Sequence, residues 1–140
     1  NVGKLRPQGF ASSGVTGGQF VYCNNIAITG NVFYGWSRGI YLDTCTLATV
    51  SGNIVEVTAT SGSSAYGIWV DTSPNTNVNG NTISFSGSGV TTTRGVFLNA
   101  GSTYSGVWSN VIKNFAAAGA AVYIDGSATG SVQANNIDAP

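Results

Sequence analysis

The sequence predicts an all-β solenoid of about five coils, each strand pairing in parallel with its counterpart one turn away. Three observations lead there. A short unit built on Gly-Asn recurs, a second unit of the form Gly-apolar-aromatic-apolar-Asp recurs between its copies, and apolar residues alternate with others inside both. Composition agrees: Gly reaches 20 of 140 residues, only 7% are charged, and the straight-chain helix formers are scarce, which favours turns and strands. At 42%, hydrophobic residues are numerous enough for a core within one domain.

The first unit reads GNVF from Gly30, GNIV from Gly52, GNTI from Gly80, SNVI from Ser109 and ANNI from Ala134, aligning Asn31, Asn53, Asn81, Asn110 and Asn135. The second reads GIYLD from Gly39, GIWVD from Gly67, GVFLN from Gly95 and AVYID from Ala121. From the head of each second unit to the next Asn the distance is 14, 14, 15 and 14 residues, whereas from each Asn to the next second unit it is 8, 14, 14 and 11. One arm of every turn is therefore nearly constant and the other varies. Counting 14 back from Asn31 reaches Gly17, so GGQFVYC reads as a degenerate earlier copy and the coils occupy residues 17–140.

Inside the second unit Ile40 and Leu42, Ile68 and Val70, Val96 and Leu98, and Val122 and Ile124 flank an aromatic, as a strand with one buried face requires. Two more apolar rows are expected to face the core. One is Ile28, Val50, Val78, Val107 and Val132; the other is Phe33, Val55, Ile83, Ile112 and Ile137. Residues 1–16, irregular and carrying Lys4, Arg6 and Pro7, read as an N-terminal cap or linker.

These units resemble the right-handed parallel β-helix of the pectate-lyase-like superfamily, and most closely the solenoid of bacteriophage tailspikes and tail appendages. The resemblance spans roughly Gly17 to Ile137 and is specific for fold rather than activity, since that superfamily contains lyases, hydrolases, epimerases and non-enzymatic adhesins. It implies a homotrimer in the virion tail or outside the cell, recognising host surface polysaccharide and touching other virion proteins. Degradation of that glycan, a secreted polysaccharide lyase or hydrolase, and a structural assembly protein remain open beside it.

Several classes are excluded or unsupported. Five Lys plus Arg balance five Asp plus Glu, so no field attracts nucleic acid or an anionic membrane. No apolar run is long enough to span a bilayer, and NVGKLRPQGF lacks the apolar core of a signal peptide, which suggests a chain made without one or an excised piece. Without His, imidazole acid–base chemistry and a Ser-His-Asp triad are ruled out. No phosphate loop occurs in a strand-to-helix setting, and no cofactor is expected.

In such a coil, equivalent residues stack about 4.8 Å apart, so each row becomes a ladder. The Asn row reads as amides bonded up and down the stack beside the core. Cys23 and Cys45, 22 residues apart and each 8 before its row Asn, are expected to be neighbours on successive coils. They read as free thiols in a small-residue stack, with a disulfide or a metal as alternatives.

Tyr41, Trp69, Phe97 and Tyr123 face outward between inward residues, and a bare aromatic line is unusual on a monomer. It is expected to pack under a loop, to meet sister subunits, or to stack on pyranose rings. Two residues on, Asp43, Asp71, Asn99 and Asp125 read as turn formers. The catalytic alternative pairs Asp43 with Asp71 at about 5 Å, suited to a retaining glycosidase, or Asp71 with Asp125 at about 9.6 Å, suited to an inverting one. A divalent ion between Asp43 and Asp71 is a further alternative, although a denser acidic cluster is missing.

Arg38 and Arg94, with Tyr66 between them, are expected on the aromatic face, covering rings or gripping an acidic sugar. Trp36 and Tyr34, with Tyr66, lie in or beside the variable arm and are further candidates for sugar contact. That arm, as EVTATSGSSAY and FSGSGVTTTR on the middle coils, reads as small polar loops projecting from one edge.

Overall fold

The computed structural model describes residues 16–60, 62–115 and 121–139, which form a parallel β-helix. Its first coil runs through β1 (Thr16–Val21), β2 (Ala27–Thr29) and β3 (Val32–Gly35), and its second through β4 (Arg38–Asp43), β5 (Thr49–Ser51) and β6 (Ile54–Val57). The third holds β7 (Gly62–Asp71), β8 (Asn77–Asn79) and β9 (Thr82–Phe85), and the fourth β10 (Val90–Leu98), β11 (Gly106–Trp108) and β12 (Val111–Lys113). The fifth holds β13 (Val122–Ile124), β14 (Val132–Ala134) and β15 (Ile137–Ala139). Stacking gives three parallel sheets, β1-β4-β7-β10-β13, β2-β5-β8-β11-β14 and β3-β6-β9-β12-β15. No helix among the described residues is long and apolar enough to cross a membrane.

The core is a set of like-on-like columns between the sheets. Ile40, Ile68, Val96 and Val122 share one register, and Leu42, Val70, Leu98 and Ile124 the next. Val50 and Val78 from the second sheet and Val55 and Ile83 from the third meet them, all four fully buried. Stacking β-branched residues on themselves suits a pleated surface buried on one side.

A buried amide column runs beside this core. Asn53 donates its backbone N–H and its side-chain amide to Asn81 Oδ1, both at 3.0 Å. Asn81 repeats the pattern on Asn110 at 3.0 and 2.9 Å, and Asn110 on Asn136 at 3.1 and 2.9 Å. Each amide also donates to a carbonyl of the preceding coil: Ile28 O, Val50 O and Val78 O in turn.

The last coil corrects the sequence reading by one residue. Asn136, not Asn135, continues the amide column. Asn135 takes the place held earlier by Gly30, Gly52 and Gly80, with φ of 54° against their 66°, 63° and 61°. Asn tolerates that left-handed conformation better than other non-Gly residues, so NN stands where GN was expected. The shift pairs Val107 with Gln133 and Ile112 with Asp138. Val132 and Ile137 therefore leave the core rows and stand 49% and 58% exposed.

The variable arm also differs from expectation. On the middle coils it extends the first sheet, Val90 pairing with Gly62 and Thr92 with Ser64, because small β-tolerant residues in matching positions can continue a ladder instead of projecting. The cap expected over residues 1–16 lies outside the described residues except for Thr16, where β1 begins.

Asn81→Ala should destabilise the chain by about 3 kcal/mol or more, because it orphans buried donors on Asn53 and an acceptor on Asn110. Asn31→Ala, at the exposed end of the column, should cost about 1 kcal/mol or less. Urea unfolding compares the two; equal midpoints would contradict a buried amide column.

Candidate functional site

The outer face of the first sheet brings the predicted aromatics and arginines together. A glycine in each strand makes this arrangement. At Gly39, Gly67 and Gly95 a Cβ would lie 2.1, 2.2 and 2.3 Å from Val55, Ile83 and Ile112 side chains and within 2.7 Å of the next coil's carbonyl. Both this glycine and the apolar residue after it face inward, so the residue three places before each aromatic returns to the outer face.

The result is two interleaved columns. Tyr41, Trp69, Phe97 and Tyr123 stack through ring contacts of 5.0, 5.8 and 5.5 Å. Arg38, Tyr66 and Arg94 form the other column, one coil apart. The Arg38 guanidinium sits 5.0 Å from the Tyr41 ring and 4.3 Å from Trp69. Tyr66 lies 4.8 Å from Trp69 and 5.4 Å from Phe97, and Arg94 lies 4.7 Å from Phe97 and 3.5 Å from Tyr123. Such cation–π contacts contribute about 0.5 to 2 kcal/mol, more when desolvated. The ladder is thus roofed by its own strands: Phe97 is 8% exposed and Tyr123, at its end, 37%.

Two donors on this face lack partners. Trp69 Nε1 and Arg94 Nε are buried and unbonded, a state that a native structure seldom leaves without a reason.

The Asp row lies at the strand ends in the expected register, Asp43 beside Asp71. Asp71 accepts the Tyr41 hydroxyl at 3.2 Å on one oxygen and the Asn99 amide at 2.9 Å on the other. Asp43 accepts the Thr44 hydroxyl at 2.9 Å. Asp125 accepts the Ser127 backbone N–H at 2.9 Å and the Ser127 hydroxyl, and these donors hold its carboxyl below the usual range. Burial, followed by the nearby carboxylates of Asp71 and Asp43, raises the Tyr41 phenol to about 12.

Not every candidate joins this face. Trp36 packs half-buried against the core, and Tyr34 stands exposed on the third sheet.

A second column, at the turn after the first sheet, was only half legible. Cys23 and Cys45 are free and stacked as expected, Cys45 buried and Cys23 half-exposed. The column continues through Ser73, which accepts the Cys45 N–H at 2.9 Å, and Ser102, which accepts the Ser73 N–H at 3.2 Å. Its signal was present in DTCT, DTSP and NAGS, where a small polar residue follows the Asp row at nearly constant distance. Burial raises the Cys45 thiol above its usual range.

A family model described as NosD, periplasmic copper-binding protein, matches residues 8–139. The chain belongs to the NosD family. No curated protein and no solved structure matches it. The family's description raises the question of which donors this NosD-family chain holds. It has no His and no Met, and no three His, Cys, Asp or Glu residues converge among the described residues. A Cu(II) centre of imidazoles and carboxylates does not fit. The thiols of Cys23 and Cys45 are soft donors and fit Cu(I).

Tyr41 should titrate near about 12, and Asp71→Asn should lower that value toward 10. Because the folded-state value is raised, the contribution of Tyr41 to stability is complete below pH about 10 and is lost as pH rises toward about 12. Absorbance-monitored titration of the tyrosines checks this; a Tyr41 value unchanged by the substitution would show that Asp71 does not act on it.

Proposed function

We propose that this β-helix binds a cell-surface polysaccharide along the outer face of its first sheet. The observation that supports the reading most directly is the line of aromatic rings interleaved with the guanidiniums of Arg38 and Arg94 along one outer face. A saccharide offers hydroxyl or carboxylate oxygens for the half-exposed guanidiniums of Arg38 and Arg94, and C–H faces for the accessible edges of Tyr41, Trp69 and Tyr123. Arg38 and Arg94, two coils or about 9.6 Å apart, suit a glycan with acidic groups, since guanidinium pairs bidentately with carboxylate or sulfate. Asp43, Asp71 and Asn99 add acceptors and an amide at the strand ends.

The reading is binding without cleavage. Both oxygens of Asp71 already accept hydrogen bonds and Asp125 is closed on Ser127, so these carboxylates serve as turn closures and sugar acceptors rather than as an acid–base couple. The homotrimeric tail appendage in contact with other virion proteins is the setting implied by the sequence resemblance, and the periplasm is the one implied by the family's description. A scattering mass of a single chain would remove the trimer and leave the glycan face intact.

An array of capsular and lipopolysaccharide glycans tests the proposal. Trp69→Ala should weaken binding by about 2 kcal/mol, roughly thirtyfold, as loss of a central aromatic anchor does. Unaltered binding in a folded Trp69→Ala variant, or no binding to any glycan, would sink it. The bound polysaccharide should keep its length on incubation; shortening that disappears in Asp43→Asn, Asp71→Asn or Asp125→Asn would make the face catalytic.

A further inference from the structure

The column Cys23, Cys45, Ser73, Ser102 changes chemistry halfway along. In its serine half the side chain has a defined task, accepting the N–H of the preceding coil. A hydroxyl does this well and sulfur only weakly, so the turn itself gives no reason for two successive cysteines. The thiols take over the serines' contacts with a weaker group: Ser73 Oγ donates to Asp71 O at 2.7 Å and Ser102 Oγ to Val70 O at 3.0 Å. The two cysteines stand level on adjacent coils. Cys45 Sγ lies 3.4 Å from Phe20 O and 3.5 Å from Asp43 O, while Cys23 Sγ lies 3.6 Å from Val21 O.

The spacing of this pair is set by the fold. The Asn24–Thr46 bridge and the Thr46 N–H to Cys23 O bond of 2.8 Å hold the two residues level on adjacent coils, a separation of about 4.8 Å. Two metal–thiolate bonds of about 2.3 Å each, laid end to end, span nearly that distance. Coils held at this spacing bring two thiols within reach of one linear, two-coordinate ion. Ions that need four ligands, or imidazole and carboxylate, find no further donors there. Cys45 is sealed in the core, whereas Cys23 is half-exposed and opens a path from solvent.

We infer that Cys23 and Cys45 form a linear dithiolate site for a soft monovalent ion, Cu(I) in the first instance. Binding exchanges two S–H protons for one Cu(I), releases both protons to solvent and leaves the oxidation state unchanged. The inference is independent of the glycan face.

The full chain, reduced and kept free of oxygen, is titrated with Cu(I) against a chromophoric Cu(I) chelator. About one copper per chain should be retained, with two sulfur neighbours by X-ray absorption and about two protons released per copper. Cys23→Ser and Cys45→Ser should each fall below about a tenth of that retention while keeping their circular dichroism, because serine already fills this column on the next two coils. Copper retained by both variants, no copper held against the chelator, or a Cys23–Cys45 disulfide in protein isolated without reductant would each overturn the site.

Discussion

Coil-to-coil register is the constraint on which the rest of this molecule depends, and the buried Asn column is its strictest enforcer. Backbone pairing alone would tolerate a slip along a strand; the amide column does not. Each Asn must receive two donors from the coil before it and donate to that coil's carbonyl, so a shift of one residue would bury several unsatisfied polar groups at roughly 1 to 3 kcal/mol each. The fifth coil shows this hierarchy. There the amide column is kept at Asn136 although keeping it turns Val132 and Ile137 outward.

Register then makes the outer face. Once coils are locked level, Arg38, Tyr66 and Arg94 fall between the rings of the neighbouring column, and each touches two of them. The glycines are the local condition for this interleaving, since a side chain at Gly67 would strike both Ile83 and the Gly95 carbonyl. A surface built this way is rigid and flat, two properties that reduce the entropy lost on binding an extended chain.

The coil architecture was legible in the sequence because a solenoid repeats its constraints. Asn31, Asn53, Asn81 and Asn110 can be aligned by eye, and so can the four aromatics. What could not be read was the conformation of a single residue: Asn135 and Asn136 are chemically identical, and only the left-handed backbone at Asn135 tells them apart. The aromatic–arginine face was half legible. Position placed Arg38 and Arg94 near the rings, but alternation alone would have put them on the opposite side, and only the inward pair formed by each glycine and its successor brings them back. Trp36 lies in the connection between β3 and β4 where the sequence placed it, but nothing in FYGWS shows that its ring folds partly against the core.

In a stack where identity is favoured, the departures from a row are informative. Adjacent guanidiniums about 4.8 Å apart would repel, and Tyr66 stands between Arg38 and Arg94. The Asp row changes to Asn99 where a third consecutive carboxylate would otherwise stand, and its amide neutralises the contact by donating to Asp71. Both substitutions have an electrostatic reason within the stack. The step from serine to cysteine at positions 45 and 23 has none: it brings no change of charge and a weaker hydrogen bond. By the same logic that explains Tyr66 and Asn99 as internal adjustments, the thiol pair is the departure whose reason lies outside the chain, in something that binds sulfur.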